Sequence, residues 1–231
     1  MSRDTYTRLL ETAMDLIWHS NYSAVGINDI CKQAGVTKGG FYHHFESKAS
    51  LFCEATNYYW ESVKRQLDAL LSPTNSPLEQ LENVINFVFA VKFGDDPDNI
   101  PGCPFLSAGC QTGQSESVIN DKLVEMAKNN LKYWQQLVRN LQAGGYLEGE
   151  VDPERTARIL NQYTQGAVSY ARVTRDIAGV KSDLPIAVYT LIGLKREYWF
   201  ATKATWEAQP CCIKKPLPLF EPTAAAASSA S

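Results

Sequence analysis

Apolar residues recur along most of this chain at intervals of three and four residues, the spacing of one face of an α-helix. They form a continuous stripe between Leu9 and Trp18, and a shorter stripe of the same kind runs through residues 27–34. Alternation of apolar and polar residues, which would indicate a strand, never persists beyond about five residues. The pattern therefore predicts an all-α fold.

Start and stop signals give the bounds of the first helices. Gly35 stands where a helix needs a left-handed residue to end, and Thr37 is a good N-cap for a third short helix from Lys38 to about His44. Ser47 caps a long fourth helix that should reach Leu71. The turn Ala34-Gly35-Val36 favours a helix-turn-helix unit, because alanine lets helices approach, glycine allows the sharp turn and valine fills the core.

The rest of the chain continues in the same way. Ser76, Pro77 and Glu79 form a capping box that should begin a helix reaching about Phe93. Further helices are expected over residues 105–111, 117–143 and 153–177, and a last one that opens at Ser182 or Asp183 before Pro185 and reaches about Trp206. The pattern suggests a helix-turn-helix domain (1–47), a connecting helix (48–71), a second helical domain (72–207) and a disordered tail (208–231).

Composition narrows the class of protein. The chain has 231 residues, of which 45% are hydrophobic, and a formal net charge of −3. No apolar run approaches the roughly 18–20 residues that cross a bilayer, and acids in the first helical stripe argue against a signal peptide. These features predict a cytoplasmic protein without membrane contact, whose nucleic-acid contacts depend on a local surface.

The stretch INDICKQAGVTKGGFYHHFESKASLF, residues 27–52, closely resembles the DNA-binding signature of TetR-family transcriptional regulators. The resemblance covers residues 8–55, about a fifth of the chain. It implies a homodimer that binds a pseudo-palindromic double-stranded DNA operator, most simply as a repressor, and that responds to a small-molecule effector. It implies no cofactor and no enzymatic activity.

The resemblance also implies roles for individual residues. The side chains expected at backbone phosphates are Thr37, Tyr42 and Lys48. The residues expected nearest the base edges are Lys38, Gly39, Gly40 and His43, with His44 close to the DNA backbone. Phe41 and Phe45 are expected to hold the recognition helix to its neighbours. Glycine at both 39 and 40 leaves few long side chains to read bases, so DNA shape should contribute to sequence preference.

Two departures from the family pattern affect the DNA-binding unit. Residues 1–50 contain five lysines and arginines and five acids, so the formal charge of this segment is zero and affinity should depend on close docking. Gly26 stands where the family usually has a capping threonine or serine. Asn28 or the backbone of Gly26 would have to cap the second helix instead.

A ligand-responsive regulator needs an apolar cavity, and the later helices are rich in aromatic residues. The residues predicted to line such a cavity are Phe87, Cys103, Phe105, Trp134, Tyr163 and Tyr170. Some TetR relatives that sense electrophiles or oxidants carry a Gly-Cys pair at a place comparable to Gly102-Cys103. Either a small apolar molecule or an electrophile at Cys103 could therefore be the effector, although packing is the simpler role for this cysteine.

The last two helices are predicted to form the dimer interface, because they combine small residues with apolar ones. The residues expected there are Gly166, Ala167, Tyr170, Ile186, Val188 and Ile192. About half of such positions would instead belong to the core of one chain.

Other functions fit the sequence less well. An all-helical enzyme with Cys103 as nucleophile would need a base, yet His19, His43 and His44 all lie in the N-terminal fifth. A metal site on the adjacent histidines is disfavoured, because neighbouring helical side chains point about 100° apart. A helical adaptor without operator binding would have no need of the phosphate-binding residues.

Overall fold

The computed structural model describes residues 4–19, 22–98, 100, 102, 103, 105 and 117–200. In this part of the chain the regular structure is helical, and the only β-type pairing is an isolated bridge between Leu147 and Leu194. The helices are α1 (Thr5–His19), α2 (Ile27–Ala34), α3 (Lys38–His44), α4 (Lys48–Leu70), α5 (Pro77–Val88), α6 (Ser117–Ala143), α7 (Pro153–Thr174) and α8 (Ile177–Ile192). The predicted all-α class is confirmed.

Side-chain caps explain where several helices begin. Thr37 accepts a hydrogen bond from the amide of Gly40, and Ser47 accepts one from the amide of Ser50. Ser76 and Glu79 form the reciprocal capping box of α5, and Asp152 caps α7. Each cap satisfies an amide that has no carbonyl partner within the first turn of its helix. At the other end of α2, Gly35 adopts the left-handed conformation, with φ of 63°.

The helix beginning at Pro77 changes character near its end. Residues Phe89–Phe93 form a π-helical turn, in which the amide of Gly94 donates to the carbonyl of Phe89 five residues earlier at 3.0 Å. Such wider turns occur mostly as single turns in α-helices, often at functional sites. The predicted end near Phe93 therefore has the right position but not the right helix type.

The predicted bounds of the last two helices are wrong. α7 ends at Thr174, because Arg175 takes the left-handed conformation. α8 begins at Ile177, where Asp176 accepts from the amide of Gly179, so Pro185 lies inside the helix and not in its first turn. α8 ends at Ile192, and a 3₁₀ turn, Arg196–Tyr198, follows. Most of the predicted 105–111 helix, and the 208–231 tail, lie outside the described residues.

Two hydrophobic clusters form the interior. The first combines α1–α4 with residues of the following domain, including Phe105, Ile119 and Leu123. The second is formed by α5–α8 and the segment up to Trp199. Helix α4 packs against α1 and against α6, so it connects the N-terminal unit with the rest of the chain. Among the helices described here, none has the length and apolar character needed to cross a bilayer.

Candidate DNA-binding interface and effector cavity

Helix α3 has an exposed face and a buried face. Thr37, Lys38, Gly39 and the two histidines are exposed, and 56% of Tyr42 is accessible to solvent. Phe41 and Phe45 are buried on the opposite side, where the ring of Phe45 stacks on Tyr6 of α1 at 5.1 Å between centroids. The buried aromatics therefore hold α3 against α1 and leave the predicted DNA-contacting side chains at the surface.

The two glycines of α3 have different surroundings. A Cβ atom on Gly39 would find no neighbour nearer than Oγ1 of Thr37, at 3.8 Å. A Cβ atom on Gly40 would lie 2.8 Å from Cγ1 of Val36, which is closer than carbon atoms approach. Gly40 therefore permits close packing of α3 on the turn before it. The Cβ direction of Gly40 faces Val36, and the expectation that this residue lies near the base edges stays a prediction.

Lys48, at the start of α4, is bound within the protein. Its Nζ donates to the carbonyl oxygens of Tyr22 and Val25, at 2.9 and 3.1 Å, and lies 4.1 Å from the centroid of the Tyr22 ring. These contacts attach the first turn of α4 to the loop between α1 and α2. The expected phosphate contact would use the remaining donor capacity of the same ammonium group.

The N-terminus of α2 is capped with the help of an acidic side chain. The amide of Gly26 donates to Oδ2 of Asp29 at 3.0 Å, and the amide of Asp29 donates to the carbonyl of Gly26 at 3.1 Å. The backbone of Gly26, one of the two expected caps, therefore caps α2 together with Asp29. The sequence analysis did not predict the role of Asp29. An acid at the third helical position was the available signal.

A cavity of about 90 Å³ lies between α4, α5, α6 and α7. Helix α4 contributes Tyr59, Trp60, Val63 and Leu67 to its wall, and α6 contributes Met126, Asn130 and Trp134 among others. Of the predicted residues, Phe87, Cys103 and Trp134 line this cavity. The contribution of α4 was not predicted, although its inward aromatic residues were a usable signal.

Three residues predicted for the cavity lie elsewhere. Phe105 is fully buried but packs edge-on against Phe52 and at a tilt against Tyr59, so it contacts a wall residue without lining the cavity. Tyr163 and Tyr170 belong to the outer surface of α7, where they border a groove toward α8. Their helical positions point away from the cavity, and sequence spacing alone could not distinguish the two faces.

Cys103 is buried in the cavity wall, which Lys92 also lines. Burial pulls the pKa of Lys92 down, but the neighbouring Cys103 and Tyr59 raise it, and the net direction is upward. Lys92 is therefore an ammonium group at neutral pH. Nothing in the sequence reasoning identified this lysine, because it is separated from Cys103 by a loop.

An apolar stripe runs along the outer face of α7. The exposed side chains that share this face are Ile159, Tyr163, Tyr170 and Val173, with Gly166 between them. Their spacing of three and four residues is that of a helix seam. Tyr170 is 60% and Val173 is 84% exposed, and Ile186 of α8 is also exposed.

The prediction that Val188 and Ile192 lie at a dimer interface is corrected. Both side chains are 1% exposed and belong to the core of the single chain. Gly166 is exposed and Ala167 is partly buried, so these two predicted positions do lie beside the stripe.

Cysteine and histidine clusters suited to metal binding are not present among the described residues. Cys110, and the pair Cys211 and Cys212, lie outside that part of the chain.

Two family models match this sequence in succession. Residues 9–55 match the model for bacterial regulatory proteins of the tetR family, and residues 77–182 match the tetracyclin repressor-like C-terminal domain. The HTH-type transcriptional regulator YxaF of Bacillus subtilis is 26% identical over 75% of this chain and 87% of its own length. The repressor DhaR of Mycobacterium sp. is 22% identical over 73% of this chain and 82% of its own length.

Solved structures share the fold. The reduced form of NemR from E. coli superposes with a TM-score of 0.74, at 20% identity, covering 84% of this chain and all (100%) of that one. A regulatory protein TetR from Rhodobacter sphaeroides superposes with a TM-score of 0.66, at 24% identity, over 82% and 97% of the two chains. Both similarities extend through the DNA-binding unit and the later helices.

The adjacent glycines of α3 provide a matched test of the packing just described. We expect Gly39→Ala to raise the free energy of unfolding by up to about 1 kcal/mol, because alanine favours the helix and meets open space. Gly40→Ala should lower it by about 1–3 kcal/mol, because the added methyl group overlaps Val36. Urea unfolding of the two variants measures both effects. Changes of the same sign would contradict the assigned packing.

Proposed function

Because the chain belongs to the TetR family of bacterial regulatory proteins, it is a helix-turn-helix transcriptional regulator and not an enzyme, and we propose how it works. In this proposal the protein is a homodimeric repressor that leaves its operator when an effector occupies the cavity beside α4. The observation that carries the proposal is the reach of α4, which has Lys48 at the DNA-binding unit and Tyr59, Trp60, Val63 and Leu67 in the cavity wall.

The proposed DNA contacts use the exposed face of α3. Lys38 and His43 would reach the base edges from the major groove, and Tyr42 and Thr37 would donate hydrogen bonds to phosphates. The Thr37 oxygen accepts from the amide of Gly40 at 3.1 Å, and its hydroxyl proton can still be donated. His44, whose ring lies 6.0 Å from that of Tyr6, would lie close to the DNA backbone. Base contacts of this kind select sequence, whereas phosphate contacts position the protein.

The proposed homodimer uses the stripe on α7 together with Ile186 of α8. A continuous line of exposed apolar side chains is costly in water and is typical of a surface that a partner covers. A second copy of the chain is the favoured partner, because two recognition helices about one turn of DNA apart would read a pseudo-palindrome. Packing α7 and α8 of one protomer on those of its partner would form a four-helix interface.

The effector would act through a difference in affinity. Ligand shifts the protein toward the DNA-incompetent arrangement only if it binds that arrangement more tightly than the competent one. Because α4 contributes to the cavity wall, a ligand that displaces this helix would move the docking site of Lys48 on the α1–α2 loop. The spacing or orientation of the recognition helices would then no longer match the operator.

A covalent mode of release is a second candidate, and the contact between Cys103 and Lys92 favours it. Both side chains line the same cavity, so an electrophile that enters it would come within reach of the Cys103 sulfur. In this mode the sulfur of Cys103 would form a bond to one carbon of the double bond of a compound such as N-ethylmaleimide, and the thiol proton would pass to the other carbon.

For DNA recognition we expect Lys38→Ala and Tyr42→Phe each to weaken operator binding about 10- to 100-fold, because each loses a contact worth about 1–3 kcal/mol. Electrophoretic mobility shifts with DNA flanking the protein's own gene, measured over a salt series, would test this. Lys132→Ala, an exposed change on α6, is the matched control and should bind as the wild type does. Unchanged affinity in both α3 variants would contradict the proposed interface.

For assembly we expect the double change Tyr170→Glu and Val173→Glu to give a monomer, because four charges would be buried at a two-fold interface. Size-exclusion chromatography with light scattering measures the mass directly. Arg139→Glu changes the net charge equally at an exposed position of α6 and should remain dimeric. A dimer in the double variant, or a monomer in the wild type, would reject the α7 stripe as the interface.

For the covalent mode we expect N-ethylmaleimide to release the wild-type protein from operator DNA persistently after dilution, and to have no such effect on Cys103→Ser. Intact-mass spectrometry would locate the adduct, and Cys31→Ser is the control for a second buried cysteine. Equal release of both cysteine variants would exclude Cys103 as the reacting group. A non-covalent effector would instead act reversibly and would still act on Cys103→Ser.

A further inference from the structure

Lys92 brings a positive charge to the wall of the cavity. Among the described residues that line the cavity, it alone has an ionised side chain at neutral pH. The rest of the wall is formed by aliphatic and aromatic residues, such as Phe87, Trp60 and Trp134, and by a few neutral polar groups. Such a site combines a large apolar surface with one specific polar anchor.

Two features of the backbone keep Lys92 in the cavity wall. Lys92 lies in the π-helical turn that ends α5, and its carbonyl accepts a hydrogen bond from the amide of Gly102 at 2.9 Å. Gly102 has φ of +73°, and a Cβ atom there would lie only 3.0 Å from Cδ of Arg172. The connecting loop is thereby brought back onto the π turn, so that Cys103 lies against Lys92.

The three carboxylates of the adjacent loop have other partners, and that of Asp96 accepts from the amide of Asp98 at 3.0 Å. Asp95 pairs with Lys181 at 2.8 Å, and Asp98 pairs with Arg175 at 2.7 Å, both at the protein surface. Among the described residues, no acid forms an ion pair with Lys92. The ammonium group of Lys92 therefore has no counterion among the described residues, and an anion that enters the cavity could pair with it.

We infer that the effector is a compact carboxylic acid, bound as its carboxylate to the ammonium group of Lys92, with its apolar part against the aromatic wall. This inference rests on the proposed function only in calling the ligand an effector; binding of the acid stands separately. The carboxylate would accept a charge-assisted hydrogen bond and supply the negative charge that the described wall lacks.

Charge and volume both favour this ligand class. A phosphate ester would bring up to two negative charges to a single lysine, whereas phosphate sites provide several cationic or amide donors. The volume of about 90 Å³ is well below the roughly 300–1,000 Å³ of drug-sized sites, so the acid should be compact. The side chains of Asn130 and Asn161, joined by a hydrogen bond of 3.0 Å, add a neutral polar group to the wall.

The test compares acids with their neutral amides. The probes are benzoate, cyclohexanecarboxylate and hexanoate, each with its primary amide, titrated into the full-length protein without DNA. Quenching of tryptophan fluorescence reports binding, because Trp60 and Trp134 line the cavity, and calorimetry confirms the stoichiometry. The variants are Lys92→Met, which keeps the length but removes the charge, Lys92→Arg, which keeps the charge, and Lys132→Met as a surface control.

We expect at least one acid to bind the wild type about 10- to 100-fold more tightly than its amide, as a charge-assisted hydrogen bond allows. In Lys92→Met the acid and its amide should bind within about two-fold of each other, while Lys92→Arg and Lys132→Met keep the preference. Amides that bind as tightly as acids, a preference that survives in Lys92→Met, or no binding of any acid at millimolar concentration would each overturn the inference. Operator binding in the same preparations tests the regulator function separately.

Discussion

Helix α4 is the element on which the rest of the structure depends, because the N-terminal unit cannot close its core without it. Leu51, Phe52 and Ala55 pack into the cluster formed with α1–α3, and Phe105 lies against both Phe52 and Tyr59 farther along the same helix. The first cluster therefore continues into the following domain. A close-packed interior transmits a displacement of this helix to its neighbours and does not absorb it.

The surface that the DNA-binding unit presents depends on the position of α3 more than on net charge. Its first fifty residues have equal numbers of acids and bases, so long-range attraction to DNA is weak. What the fold provides is a short helix held by Phe41 and Phe45, with Gly40 allowing it to lie close to Val36. A rigidly placed helix loses little entropy on docking, which compensates in part for a small number of cationic contacts.

The sequence was most informative where a local rule decides the structure. Caps at Thr37, Ser47 and Ser76 located helix starts, because the hydrogen bond involved spans only three residues. It was least informative where three-dimensional contacts decide. Pro185 lies inside α8 because Asp176 caps that helix earlier, and Val188 is core because it belongs to the cluster formed by α5–α8. For the same reason the position of Lys92 beside Cys103 was not predicted, because it depends on a π turn and on the loop that returns to it. The family resemblance identified the exposed α3 residues, but nothing in it distinguished Gly39 from Gly40.

The position of the cavity limits how a ligand can act on DNA binding. Tyr59 and Val63 follow Lys48 by three to four helical turns of α4. A ligand in the cavity would therefore contact the same helix that Lys48 attaches to the N-terminal unit. Lys48 is attached to the α1–α2 loop by two hydrogen bonds and a ring contact. A displacement of α4 must therefore either move that loop with it or break these contacts. If the loop moves with α4, these contacts are preserved and the whole N-terminal unit turns as one rigid body. An effector that binds the turned arrangement more tightly would then shift the protein away from the operator-competent one.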